Sequence, residues 1–135
     1  MIDGVNHIGI AVRDLQQAIE LYGKLFNVTD FHTETVEDQG VAVASFSVGS
    51  VRIELTAATR PDSPIAKFID KKGEGIHHIA FHSTNLDEDL RDKQVHGVEL
   101  IDATPRPGAH DMMIAFLHPK STGGVLMELC SEKKS

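Results

Sequence analysis

Tryptophan is absent from this 135-residue chain, tyrosine and cysteine occur once each, and no apolar run approaches the ~20 residues that cross a bilayer as a helix. The single cysteine, Cys130, excludes an internal disulfide and any CxxC redox or metal motif, and suits a reducing cytosol. With no tryptophan and only Tyr22, little is available to stack nucleobases. Cations are also in the minority. Thirteen Lys+Arg against 20 Asp+Glu leave a net charge of −7, which argues against nucleic acid or an anionic membrane as a main partner. The opening segment MIDGVNHIGIAV has neither a basic n-region nor a small-residue cleavage site, so no signal peptide and a cytoplasmic location are expected. GxGxxG and Walker patterns are missing too, and Gly123-Gly124 is not a phosphate loop. What is present, 41% hydrophobic and 24% charged residues, belongs to an ordinary globular protein. Its length suits one compact domain over 1–135, or two very small repeated modules.

The chain repeats itself. Asn6-His7-Ile8-Gly9-Ile10 aligns with His77-His78-Ile79-Ala80-Phe81, and the Asp14-Leu15 pair with Asn85-Leu86, all at an offset of 71. Val51-Arg52-Ile53-Glu54-Leu55 aligns with Val125-Leu126-Met127-Glu128-Leu129 at an offset of 74. A three-residue difference is absorbed by loop length. Each half therefore opens on a histidine and closes on a glutamate.

Both halves also repeat their elements. Residues 5–12 and 76–83 are Ile- and Val-rich strand candidates. Asp14 with Gln17, and Asn85 with Glu88, form capping-box patterns that start helices, although Gly23 is expected to weaken the last turn of the first. Strands are predicted over 29–37, 41–48 and 51–57, and again over 98–102, 112–117 and 124–130, with Pro105-Arg106-Pro107-Gly108 as a separator. Ser63-Pro64 reads as an N-cap followed by Pro at N1, starting a short helix to about Lys72. The expected fold is α+β: two tandem βαβββ modules, about 1–58 and 74–132, joined by a linker helix within 59–73 and forming one curved, mostly antiparallel sheet around a metal site.

The metal enters through His7, Glu54, His78 and Glu128. A lone strand histidine is usually structural, and a lone strand glutamate usually faces water. Four such residues at matched places in a repeat, set among apolar neighbours, are different: burying them unpaired costs several kcal/mol, which a cation offsets. Two imidazoles and two carboxylates suit a first-row divalent ion. His77 alternates to the opposite face and reads as a supporting or structural residue. His32, His82, His96 and His110 have no repeat partner, His118 lies in a turn, and Cys130 reads as a small buried hydrophobe.

The sequence resembles the vicinal oxygen chelate superfamily and, within it, the methylmalonyl-CoA epimerase family. The segments that carry the resemblance are Glu37-Asp38-Gln39-Gly40-Val41, Pro61-Asp62-Ser63-Pro64-Ile65-Ala66-Lys67-Phe68, Gly73-Glu74-Gly75-Ile76-His77-His78, and the run from Phe116 through His118-Pro119-Lys120 to Glu128-Leu129. The resemblance implies a metal on His7, Glu54, His78 and Glu128, with Co2+ first and Mn2+, Ni2+, Zn2+ or Mg2+ as alternatives. Some members have Gln at the second ligand, so Glu54 is an accepted variant. Some epimerases also carry a glutamate base where this chain has Val43. With that base missing, Glu54 and Glu128 become the candidate catalytic bases for inverting C2 of an acyl-CoA substrate through an enolate, a bound water or another residue being the alternative to one of them. A homodimer is likewise implied. The rival functions are a glyoxalase I-type lyase acting on a thiohemiacetal, and a metal-free ligand-binding module of the same fold.

Overall fold

The computed structural model describes residues 1–133, a mixed α+β chain of eight strands and three α-helices. None of these helices is long and apolar enough to cross a membrane. The chain forms two compact units, Ile8–His77 and a second made of Met1–His7 with the chain from His78 onward.

The Ile8–His77 unit contains the end of β1 (Ile2–Ala11), then α1 (Leu15–Phe26), β2 (His32–Val36), β3 (Val41–Val48), β4 (Val51–Ala58) and α2 (Pro64–Lys72). Its strand order is β2-β3-β4-β1. The predicted caps set the helix boundaries: Asp14 accepts the Gln17 N–H at 3.0 Å, and Ser63 accepts the Ile65 N–H ahead of Pro64 at N1. Gly23 does not interrupt α1, which runs on to Phe26. A Cβ at Gly23 would lie 2.9 Å from the Val28 carbonyl oxygen, so the glycine admits the turn that ends the helix. Between β2 and β3, Gly40 takes a left-handed φ of 65°. Val12, Ala18, Leu55 and Ala57 pack together, burying α1 on the Leu55 side of β4.

The second unit holds the start of β1, β5 (Gly75–Ser83), α3 (Leu86–Val95), β6 (Arg106–Pro107), β7 (Met112–Leu117) and β8 (Met127–Glu132). Its strand order is β1-β5-β8-β7-β6. β5 and β8 run parallel, whereas β6–β7 and β7–β8 are antiparallel. At the start of α3 the Asn85 side chain accepts the Glu88 N–H and donates from Nδ2 to the Glu88 carboxylate, both at 3.2 Å, while the Asn85 backbone N–H donates to Ser83 Oγ. Leu86 and Leu90 of α3 bury Ala115, Leu117 and Leu129 beneath them.

One strand is not where the pattern predicts it. Residues 98–102 form no strand, and only Leu100 makes an isolated bridge, to Leu117. The cause is competition from a side chain: the Asp102 carboxylate accepts the Phe116 N–H at 2.9 Å, while the Ile101 and Asp102 N–H groups both donate to the Phe116 carbonyl. The partner of β7 on that side is instead the two-residue β6, drawn from the segment expected to be a separator. Proline is tolerated at such an edge position. β8 likewise begins at Met127 rather than 124, because Gly123 and Gly124 stay in the turn with φ of 73° and 97°.

Candidate metal centre

Alternation along the strands decides which side chains meet. Leu129 on β8 is 1% exposed beneath α3, so its neighbour Glu128 must face the other way. On β5, Ala80 is paired with Glu128, and His78 lies two residues earlier on the same face. Phe116 of β7 is also paired with Glu128, and its ring meets His78 edge-on with centroids 5.5 Å apart. His7 reaches this cluster from β1.

The three predicted ligands of this unit converge. His7 Nε2 and His78 Nε2 are 3.2 Å apart, and Glu128 places Oε2 3.5 Å from His7 Nε2 and Oε1 3.5 Å from His78 Nε2. All three side chains are more than nine-tenths buried. Ligand atoms on a cation with bonds of about 2.1 Å stand about 3.0 Å apart at right angles and about 3.4 Å apart at the tetrahedral angle. The observed separations therefore fit a first-row divalent ion. Asn6 adds a control that sequence reasoning missed. Its Oδ1 lies 2.7 Å from His7 Nδ1, so Nδ1 donates there and the Nε2 lone pair is left facing the cluster. The repeat hid this residue, because it aligns Asn6 with His77.

Glu54 belongs to the Ile8–His77 unit. Leu55, fully buried under α1, turns Glu54 to the opposite face of β4, as Leu129 does for Glu128. Arg52, two residues away on the same face, donates to Glu54 Oε2 from Nε at 3.0 Å and from Nη2 at 2.9 Å. Burial raises the Glu54 pKa above its ordinary value, and the Arg52 charge and hydrogen bonds offset only part of that rise. Arg52 also escaped the sequence reading, although its i, i+2 spacing from Glu54 in a strand signals a shared face. Val43 shares that face as well, being paired with Thr56, and packs into apolar contact with Ala11, Val41 and Ile65.

Five of the other six histidines have partners elsewhere. His77 packs edge-on against Phe68 of α2 with centroids 5.0 Å apart, and burial lowers its pKa to about 4. His82 is gripped at both nitrogens, by Asp3 at 2.6 Å and Glu132 at 2.9 Å, which raises its pKa. His32 pairs with Glu34, His96 closes α3 on the Asp92 carbonyl, and His118 caps the turn at Lys120. Arg106 is paired with Asp102 and lies over the Phe116 ring.

Residues 6–116 match the model of the Glyoxalase/Bleomycin resistance protein/Dioxygenase superfamily. The chain belongs to this superfamily. Among its relatives, an uncharacterised Bacillus subtilis protein, YqjC, is 46% identical over 129 residues, spanning 96% of this chain and 92% of YqjC. The ethylmalonyl-CoA/methylmalonyl-CoA epimerase of Cereibacter sphaeroides is 35% identical over 131 residues, spanning 96% and 98% of the two chains. Among solved structures, a single-site variant of Streptomyces coelicolor methylmalonyl-CoA epimerase bound to 2-nitronate-propionyl-CoA superposes with a TM-score of 0.91 at 39% identity, covering 98% of this chain and 96% of that one. The Cereibacter epimerase matches over nearly the full length of both chains.

Proposed function

We propose that this protein interconverts the (2R) and (2S) forms of methylmalonyl-CoA through an enolate, using a divalent cation held by His7, Glu54, His78 and Glu128. The observation that carries this reading is the buried His7–His78–Glu128 cluster, with donor separations of 3.2 to 3.5 Å, in a chain 35% identical to an epimerase over nearly its whole length. The nitronate ligand of the Streptomyces relative, a planar anion next to a thioester, supports an enolate in particular. Of the four residues, Glu54 is assigned by its matched place in the repeat and by its burial.

A cation bound there supplies Lewis-acid stabilisation of the oxyanion that develops on the thioester, worth several kcal/mol. The chain supplies the rest. His7 is held in one tautomer by Asn6, and Arg52 fixes the Glu54 carboxylate through Oε2. Inversion at C2 needs a base on each face of the flat enolate, one to remove the proton and one to return it. Glu54 and Glu128 take these roles, because Val43 has no proton to exchange and is buried in apolar contact.

The chain acts as one vicinal oxygen chelate domain over 1–135, as a cytoplasmic homodimer in propionate metabolism, with Co2+ as the ion and Mn2+, Ni2+, Zn2+ or Mg2+ as the alternatives. The test is proton NMR in D2O with (2S)-methylmalonyl-CoA and added Co2+. Loss of the C2 hydrogen signal is expected. Retention of that signal by metal-loaded protein would sink the epimerase reading, and turnover of methylglyoxal–glutathione in its place would move the chain to the lyases.

A further inference from the structure

Cys130 stands two residues beyond Glu128 on β8 and points to the same face of the strand. It is fully buried, and its thiol donates to the Phe81 carbonyl at 3.6 Å. His7, Glu128 and Cys130 each present one donor atom, and the three atoms lie within 4.8 Å of one another. In the first half of the repeat the matching place holds Thr56, whose hydroxyl donates to the Glu54 carbonyl instead. The two ends of the repeat therefore differ in donor chemistry: a hydroxyl follows one glutamate and a sulfur follows the other.

We propose that Cys130 joins His7 and Glu128 as a sulfur ligand for thiophilic cations, giving the site a second, soft binding mode for Zn2+ or Cd2+. The inference rests on the assignment of His7 and Glu128 as metal ligands. A tetrahedral shell with a metal–sulfur bond of about 2.3 Å and a metal–nitrogen bond of about 2.05 Å spans about 3.6 Å from sulfur to nitrogen. Binding in this mode requires the Cys130 side chain to turn from the Phe81 carbonyl toward His7 and Glu128. The thiol proton passes to solvent as the metal–sulfur bond forms, with no change in oxidation state. Thiolate favours soft and borderline ions, whereas Mg2+ and Mn2+ prefer oxygen and gain nothing from it. Cys130 thus determines which metals the site holds tightly, independently of which metals support turnover.

The experiment titrates the full metal-free chain with Cd2+ and, separately, with Mn2+. Binding is followed by equilibrium dialysis, and sulfur coordination by the ultraviolet sulfur-to-cadmium charge-transfer band. One Cd2+ per chain with the band is expected for the native protein. Cys130→Ser and Cys130→Ala should both abolish the band and weaken Cd2+ binding by more than about tenfold, while changing Mn2+ binding by less than about threefold. Retained Mn2+ affinity in both variants marks the loss of one ligand rather than of the fold, and native-like Cd2+ affinity in either variant overturns the proposal. Stoichiometric Cd2+ binding by the native chain without the band overturns the sulfur role and leaves the four-ligand assignment standing. Failure of the native chain to bind either ion overturns both.

Discussion

Glu128 sits where stability and metal binding oppose one another, so Glu128→Gln should move the two in different directions. Its carboxylate is 3% exposed and lies 3.5 Å from each of two imidazole nitrogens. Without a cation, a neutral amide of the same size avoids the desolvation of a buried carboxylate, so the metal-free variant should be at least as stable as the native chain. With a cation the order reverses, because removing one charge from a buried ionic set costs about 3 kcal/mol, or about a hundredfold in affinity. At a metal concentration of about 100 Kd, the native protein gains about 2.7 kcal/mol. At about 2.1 cal/mol/K per residue, a chain of this length unfolds with an entropy of about 0.28 kcal/mol/K, so the gain is a rise in Tm of about 10 °C. The variant at the same concentration is near its own Kd, gains about 0.4 kcal/mol and moves by only about 1–2 °C. Scanning calorimetry with chelator and with Co2+, on both proteins, measures all four midpoints. Equal metal-induced shifts in native and variant chains would refute the argument that Glu128 is a ligand.

Leu129→Ala should cost about 3–4 kcal/mol in urea unfolding, since this fully buried side chain fills the space under Leu86 and Leu90; a loss below 1 kcal/mol would mean the site collapses freely. The metal-free chain should gain stability as pH rises from about 4 to 6.5, because buried His77 stays neutral down to about 4 whereas the unfolded chain binds its proton below 6.5; His77→Gln should flatten that slope. His82 has the opposite sign. Its raised pKa adds stability that is full below pH 6.5 and is lost as pH climbs through the folded value, so His82→Gln should be destabilising at pH 6 and nearly silent at pH 9 in parallel urea melts. His7, His78 and Glu128 come from one chain, so mixing inactive His7→Ala and Glu128→Ala proteins should restore no activity, and recovery would mean sites shared between subunits.

Helix starts and strand facing were legible in the sequence. The starts of α1, α2 and α3 follow from Asp14, Ser63 and Asn85, because a cap is an interaction with a backbone three residues away or fewer. The common facing of His78 and Glu128 follows from alternation, which turns Glu128 away from the apolar Leu129, and His7 is singled out by the repeat at the same offset as His78. Tertiary structure alone decided the rest. Asp102 takes the Phe116 N–H from a distant part of the chain and so unmakes the strand at 98–102, an outcome that no propensity of those five residues contains. Asn6 selects the His7 tautomer, and Arg52 rather than a second carboxylate accompanies Glu54, because hydrogen-bond partners depend on side-chain rotamers that a sequence does not specify. Cys130 reads in sequence as one more small apolar residue. Its approach to His7, 123 positions away (130 − 7), exists only because β1 folds back beside β5, the neighbour of β8, and a contact over that separation is set by strand order and burial, which no local pattern of residues encodes.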